Sequence, residues 1–207
     1  MVKLDPALID EKCERTTCID CGSENLTRDA AGLYVCGACG AHRPRAVIIT
    51  PDIRWWLAAD GEYWHQTAGI FVRNDAGEYL LFRRTRFPFG LTIPAGHVEV
   101  DEDPAHAARR ELLEETSLDA RALHHLGDVD IPGDSCRRGA DAHRWNCFVT
   151  EAGGTQDVVL NQEGISPVWR SLPEMRAATE LTLATSFLVN LYDADLRPAA
   201  HAPGRGR

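Results

Sequence analysis

Four cysteines in this 207-residue chain have a spacing that could bind a metal ion. They form two Cys-x2-Cys pairs, Cys18 with Cys21 and Cys36 with Cys39, separated by fourteen residues. Each pair is followed by a glycine, which permits a tight turn whose backbone N–H groups point at the sulfur atoms. Two such pairs can surround one tetrahedral Zn²⁺, so the spacing predicts a zinc ribbon over residues 1–45, with a redox dithiol as the alternative.

A second set of residues is acidic. Glu111, Glu114 and Glu115 fall at i, i+3 and i+4, so a helix would carry all three carboxylates on one face. Like charges this close repel each other, and a hard divalent cation that prefers oxygen ligands would relieve the repulsion. Arg110 adjoins Glu111 and can hold a carboxylate in its ligating orientation. Taken alone, the three glutamates are more typical of a solvated acidic face.

The acidic residues need a helix that packs on a sheet. Asp103 followed by Pro104 is typical of a helix start, and it predicts a helix that ends near Thr116. A second helix is predicted over about residues 180–192. Runs of β-branched and aromatic residues between turn signals predict short strands over residues 68–72, 78–82, 91–93, 126–131, 145–150 and 168–169.

The spacing of the acidic segment matches a known motif, the Nudix box G-x5-E-x7-R-E-U-x-E-E-x-G-U, in which U is aliphatic. The chain therefore resembles the Nudix hydrolases. The literal positions are occupied by Gly96, Glu102, Arg110, Glu111, Glu114 and Glu115, and the aliphatic positions by Leu112 and Leu118. Ser117 stands where the motif has its last glycine. We expect a left-handed helix exit there, which costs a non-glycine residue about 1–2 kcal/mol.

The resemblance implies an α/β fold, the Nudix α/β/α sandwich with a mixed sheet, over residues 65–196. It also implies hydrolysis of a nucleoside diphosphate linked to another moiety, such as a nucleotide sugar, an ADP-ribose-like compound or a nucleoside triphosphate. Mg²⁺ or Mn²⁺ would be held by the carbonyl of Gly96 and by Glu111, Glu114 and Glu115, while Glu102 would support this cluster and Arg110 would orient it. The general base lies either in the box or on a late loop, where Glu163 occupies a similar position.

The remaining segments set the domain organisation. Residues 46–64 are too apolar for a flexible linker and predict a packed connector, and residues 197–207 predict a disordered tail. The connector contains an aromatic cluster, Trp55, Trp56, Tyr63 and Trp64, which either stacks on a nucleotide base or forms an inter-domain or dimer core. A homodimer is therefore one open alternative.

Candidate substrate contacts are less specific. Arg83, Arg84 and Arg86 follow a predicted strand and either grip phosphate oxygens or serve surface solubility. The histidines, including His97 and His143, show no metal spacing with one another and are interpreted as ordinary. Cys136 and Cys147 are interpreted as a loop residue and a small strand hydrophobe, and Cys13 and His42 as bystanders of the ribbon.

Composition narrows the function classes. The formal net charge of -9 and a ribbon with one excess negative charge make nucleic acid an unlikely partner. Neither a secretory signal nor an apolar run of 18 residues is found, which predicts a cytoplasmic protein without membrane contact and with reduced thiols. A ribbon before a Nudix domain is also similar to the NADH pyrophosphatase subfamily, but HHLGDVDIPGDS stands where that subfamily has SQPWPFPxS. An NAD(H) pyrophosphatase and a non-enzymatic nucleotide sensor remain the alternatives.

Overall fold

The structure is a computed structural model, and it describes residues 4, 14–120, 122–152 and 157–197. Cys13 and nearly all of the predicted tail lie outside these ranges. No helix among the described residues is long and apolar enough to cross a membrane.

Short strands make up the N-terminal part of the chain. They are β1 (Arg15–Thr17), β2 (Leu26–Arg28), β3 (Tyr34–Cys36), β4 (His42–Arg43) and β5 (Val47–Ile49). β2, β3 and β4 form an antiparallel sheet, and β1 pairs with β5. Because β5 lies in the connector, this pairing joins the cysteine-rich segment to the connector.

A mixed eight-stranded sheet forms the centre of the remaining chain. Its strands are β6 (Trp55–Leu57), β7 (Tyr63–Arg73), β8 (Tyr79–Arg84), β9 (Leu91–Thr92), β10 (Ala95–His97), β11 (His124–Pro132), β12 (Ala142–Glu151) and β13 (Gly164–Arg170). The main order is β11-β12-β7-β8-β13, with β6 and β10 on β7 and β9 on β8. β7 and β12 are parallel, whereas the other pairs are antiparallel.

Helices cover both faces of this sheet. They are α1 (Pro104–Thr116), α2 (Leu172–Ala177), α3 (Leu183–Leu191) and α4 (Asp193–Leu196). Side chains alternate along β7, so Ile70 and Val72 pack with α1 residues, whereas Phe71 packs with residues of α2 to α4. The predicted α/β/α sandwich with a mixed sheet is therefore confirmed.

The helix α1 has the predicted bounds and both predicted ends. The Asp103 side chain accepts a hydrogen bond from the backbone N–H of Ala105 at 2.9 Å, as an N-cap does. Ser117 follows the helix with φ 59° and ψ 15°, which is the expected left-handed exit.

The predicted C-terminal helix is wrong at its start. The chain at residues 180–182 pairs with Leu91, whose N–H donates to the carbonyl of Glu180 at 2.8 Å. Thr182 then caps α3, so the helix begins at Leu183. α2 was not predicted from the sequence; at its start the Glu174 carboxylate accepts a hydrogen bond from the N–H of Ser171 at 2.8 Å.

Candidate active site

A cavity of about 410 Å³ opens where α1, β10 and the loop of residues 133–141 meet. Most of the box residues line it, and arginines from other segments face them. Its lining includes Arg84, Gly96, Glu111, Glu115, Arg138 and Glu163. The fold thus brings the predicted carboxylates together with basic side chains that are distant in sequence.

Glu111 lies directly on the backbone of Gly96. A Cβ atom built on Gly96 would lie 1.9 Å from the Glu111 carboxyl carbon, so no larger residue fits without moving that carboxylate. Burial raises the pKa of Glu111, although Arg110 beside it acts in the opposite direction. The absence of a side chain at Gly96 therefore lets the Glu111 carboxylate lie directly against β10.

Glu115 is the most buried carboxylate of the box, with 4% of the residue exposed. One carboxylate oxygen accepts a hydrogen bond from the N–H of Ala95 at 2.9 Å. Burial, reinforced by the nearby Glu111 charge, raises the pKa of Glu115 to about 8. Two carboxylates that are this close and poorly solvated favour a bound cation.

Arg110 holds the cluster in place. Its Nε and Nη2 donate to the two Glu102 oxygens at 2.9 Å each, and its Nη1 donates to Glu111 at 2.6 Å. This pairing lowers the pKa of Glu102. Nη2 also donates to the carbonyl of His97 at 3.1 Å, which ties β10 to the helix. Glu114 is 3.5 Å from Arg110 and half-exposed at the mouth of the site.

The late-loop residue Glu163 faces the box across the cavity. Arg86 donates to its carboxylate at 2.6 Å, and the Glu163 charge contributes to the raised pKa of both Glu111 and Glu115. The backbone carbonyl of Glu163 accepts from the N–H of Thr85 at 3.0 Å, so the loop is held against the end of β8.

The three predicted substrate arginines lie in different environments. Arg84 lines the cavity, and its buried Nε has no partner among the described residues. Arg86 pairs with Glu163, whereas Arg83 is exposed and does not line the cavity. Alternation along β8 is the reason, because neighbouring residues of a strand point to opposite faces.

Sequence reasoning missed two cavity residues, Arg137 and Arg138. Both are partly buried, and neither forms an ion pair within the described ranges. The loop that carries them is fixed by the connector, since Arg137 and Arg138 accept backbone hydrogen bonds from Ala46 at 3.2 Å and Ile48 at 2.9 Å. Arg45 further donates to the carbonyls of Gly139 and Ala140. No local motif marks these arginines; the packing of the connector brings them to the site.

The cysteine pairs converge as their spacing predicts. The four thiols of Cys18, Cys21, Cys36 and Cys39 form one cluster. Two Sγ–Sγ distances are 3.7 Å, and two sulfurs on a tetrahedral Zn²⁺ with Zn–S bonds of about 2.3 Å would lie about 3.8 Å apart. The backbone N–H of Asp20 points at the Cys18 sulfur at 3.4 Å.

The interpretation of His97 and His143 as ordinary did not anticipate a cluster that the fold creates around them. His65, His97 and His143 lie together with Cys136 in a second cluster whose ligand atoms are all within 4.8 Å of one another. Sequence spacing did not reveal it because the histidines lie on three strands. Cys147, in contrast, is a fully buried strand residue, as predicted.

Comparison with solved structures places this fold among known ones. The MutT protein from Methanosarcina mazei Go1 aligns with a TM-score of 0.53 and 23% identity over 65% of this chain and 96% of that chain. A C. elegans Ap4A hydrolase gives 0.53 and 23% over 64% and 97%. The NUDIX domain of Shewanella oneidensis NrtR, solved with ADP ribose, gives 0.55 and 17% over 65% and 89%. At sequence identities this low, the structural similarity shows a shared fold and nothing finer.

The family itself is established by the sequence match to the NUDIX domain, which spans residues 63–188. This range is more than half of the chain and contains the whole box together with Arg137 and Glu163. The chain therefore belongs to the Nudix family, whose members are generally metal-dependent pyrophosphohydrolases that act on acid anhydrides.

Proposed function

We propose that this protein hydrolyses the pyrophosphate bond of a nucleoside diphosphate linked to another moiety. Candidate substrates are nucleotide sugars, ADP-ribose-like compounds and nucleoside triphosphates. The observation that carries the proposal is the cavity that Glu111 and Glu115 line together with Arg84, Arg137 and Arg138. Carboxylates for a cation and arginines for phosphate oxygens are what a polyphosphate substrate requires.

Mg²⁺ or Mn²⁺ fits the residues on one side of this cavity. The proposed ligands are Glu111, Glu114, Glu115 and the carbonyl of Gly96. Oxygen donors suit a hard cation, the Glu111 carboxylate lies against Gly96, and burial together with the Glu111 charge raises the pKa of Glu115 despite the opposing charge of Arg84. When bound, the ion would neutralise bridging phosphate oxygens and lower the pKa of a bound water.

The other polar residues position these groups and the substrate. Arg110, held by both oxygens of Glu102, fixes the Glu111 carboxylate and the backbone at His97. Arg84, Arg137 and Arg138 would bind phosphate oxygens, since all three residues line the cavity and none forms an ion pair within 4 Å in the part of the chain described. Most of the transition-state stabilisation in such a reaction comes from this kind of positioning and charge.

Glu163 is our candidate for the general base. It lines the same cavity as the box, 37% of its side chain is exposed, and it lies close enough to raise the pKa of Glu111 and Glu115. We expect Glu163→Gln to lower kcat by about 10²-fold or more and to remove the acidic limb of the pH–rate profile. An unchanged profile would assign the base to the box instead.

The four-cysteine cluster is proposed to hold one structural Zn²⁺. Support comes from the paired spacing, from the sulfur separations and from the small size of the segment, which has too little core to fold without metal. Cys39→Ser is expected to release this zinc and to destabilise the N-terminal strands. Freely titratable thiols at all four positions in the folded, untreated protein would contradict the assignment.

A substrate panel tests the proposed function. Full-length protein is assayed with Mg²⁺ or Mn²⁺ on nucleotide sugars, ADP-ribose, nucleoside triphosphates and NAD(H), and the products are identified by chromatography. We expect cleavage within the pyrophosphate group, with two phosphate-containing products from nucleotide sugars and ADP-ribose. Preference for NAD(H) would support the pyrophosphatase alternative. Binding without turnover of every compound would support the sensor alternative and contradict the proposal.

A further inference from the structure

Four potential metal ligands from four separate segments meet beside the active-site cavity. His65 lies on β7, His97 on β10, His143 on β12, and Cys136 in the loop between β11 and β12. The sheet register explains the convergence: His143 pairs with His65, and His97 pairs with Thr67, two residues farther along β7. All three imidazoles therefore project from the same face of the sheet.

The distances fit one tetrahedral ion. The Cys136 sulfur lies 3.5 Å from Nδ1 of His65, and a nitrogen and a sulfur that share a tetrahedral Zn²⁺ would lie about 3.6 Å apart. The ring centroids of the three histidines are 4.8, 5.6 and 5.8 Å apart. Three imidazoles on one such ion would have centroids separated by about 5 Å.

The surroundings of His143 resemble those of a metal ligand. Its Nδ1 lies 2.7 Å from the carbonyl oxygen of Asp134 and 3.1 Å from the carboxylate of the same residue. That carboxylate is itself fixed by Nε1 of Trp145 at 2.8 Å. If Nδ1 donates to Asp134, Nε2 of His143 would bind the ion, and such outer hydrogen bonds are usual for metal-binding histidines.

Burial makes the cluster costly without an ion. His65 is fully buried, and His143 and Cys136 are 3% and 8% exposed. In the part of the chain described, the hydrogen-bond partner of Nδ1 of His65 is the Cys136 thiol, a weak donor and acceptor. Buried polar groups are normally hydrogen-bonded or bound to metal.

We propose that His65, His97, Cys136 and His143 bind a second Zn²⁺. Three imidazoles and a thiolate select a borderline-soft ion such as zinc, whereas Mg²⁺ and Mn²⁺ prefer the oxygen donors across the cavity. Four protein ligands complete the tetrahedron, so this zinc is structural. The site stands whether or not the proposed hydrolysis is correct.

The position of this zinc gives it a consequence for the active site. Through Cys136 it would anchor the loop that presents Arg137 and Arg138, and through His97 it would anchor the strand that contains Gly96. A single ion would thus hold the phosphate-facing arginines at a fixed distance from the carboxylates. Loss of the zinc should raise KM for a nucleotide more than it lowers kcat, because it loosens the substrate contacts first.

A competing interpretation uses the same residues without metal. Cys136, His143 and Asp134 are arranged as a nucleophile, a base and an orienting carboxylate would be. Two observations favour the ion instead: the sulfur is nearly buried, and two further imidazoles, those of His65 and His97, surround it. The chemistry of the thiol separates the two interpretations, because a zinc-bound thiolate is protected from alkylation until the metal is removed.

Metal content tests the proposal directly. Full-length protein, purified without added metal or chelator, should contain about two zinc ions per chain, one for each cluster. Cys136→Ala and His143→Ala should each remove one zinc, and Cys39→Ser should remove the other. Cys147→Ala is the matched control, since Cys147 is a buried cysteine on the strand of His143 but outside the cluster, and it should leave zinc content unchanged.

X-ray absorption at the zinc edge tests the wild-type chain, in case the variants fail to fold. The ribbon supplies four sulfur ligands and the second site supplies one, so two occupied sites give an average of about 2.5 sulfurs per zinc. The ribbon alone would give about four. Cobalt(II) exchanged into the Cys39→Ser variant should give a tetrahedral d–d spectrum with one thiolate charge-transfer band. One zinc per chain with only sulfur ligands, or rapid alkylation of Cys136 in the untreated protein, would overturn the proposal.

Discussion

Replacement of Gly96 by alanine tests the geometry of the active site at its tightest point. The added Cβ would lie 1.9 Å from the carboxyl carbon of Glu111, whereas ordinary contacts begin at 3.4 Å. The carboxylate must therefore move by about 1.5 Å, and a displacement near 1 Å can cost about 10²-fold in rate. We expect Gly96→Ala to lower kcat by about 10²-fold or more.

The assay is steady-state hydrolysis of the preferred nucleotide at saturating Mg²⁺, with circular dichroism to confirm that the variant is folded. A double-mutant cycle identifies the cause: in the Glu111→Gln background, Gly96→Ala should add little further loss, because the group that it displaces is already defective. Wild-type kcat in Gly96→Ala would refute the close packing of Glu111 on Gly96. Fully additive losses would show that the alanine acts through some other contact.

Three further predictions concern stability and the division of labour along the chain. Ser117→Gly should raise the free energy of unfolding by about 1 kcal/mol, measured by denaturant titration, because φ at this position is 59°; Ser117→Ala, which keeps the strain, should not. In magnesium-free buffer the pKa of Glu115 is raised to about 8, so the folded chain keeps a proton that the unfolded chain releases above about pH 4.5. The free energy of unfolding should therefore fall as the pH rises between these two values. Glu115→Gln should remove this pH dependence, and an unchanged pH dependence in that variant would contradict the assignment. A chain shortened to begin at Arg45 should stay soluble with a similar kcat. A chain that begins at His65 should aggregate, because it loses β5 and β6 and uncovers the core around Ala140. If the chain that begins at Arg45 folds but is inactive, the ribbon is part of the active site.

The parts of the site that were predictable are local in sequence. The box spans one loop and one helix, so the periodicity of α1 alone puts Glu111 and Glu115 on one face, and Asp103 and Pro104 fix where that helix begins. The Cys-x2-Cys pairs are equally local. Alternation along a strand could also have excluded Arg83 once Arg84 was assigned to the cavity.

The parts that were missed depend on contacts between distant segments. His65 and His143 become neighbours only through the parallel pairing of β7 with β12, and no local spacing encodes a parallel register. Arg137 and Arg138 reach the cavity because the connector binds their loop by backbone hydrogen bonds, which any sequence could make. The start of α3 shifted for a similar reason, since residues 180–182 pair with Leu91.

We propose that the carboxylates of the box perform metal-dependent pyrophosphate hydrolysis, and kcat of Glu115→Gln tests this proposal most directly. Glu115→Gln keeps the size of the side chain but removes the charge that Mg²⁺ or Mn²⁺ would bind. The matched control is Glu180→Gln, because Glu180 is exposed and does not line the cavity. We predict that Glu115→Gln loses at least about 10²-fold in kcat while Glu180→Gln retains wild-type turnover. Wild-type turnover in Glu115→Gln would contradict the account.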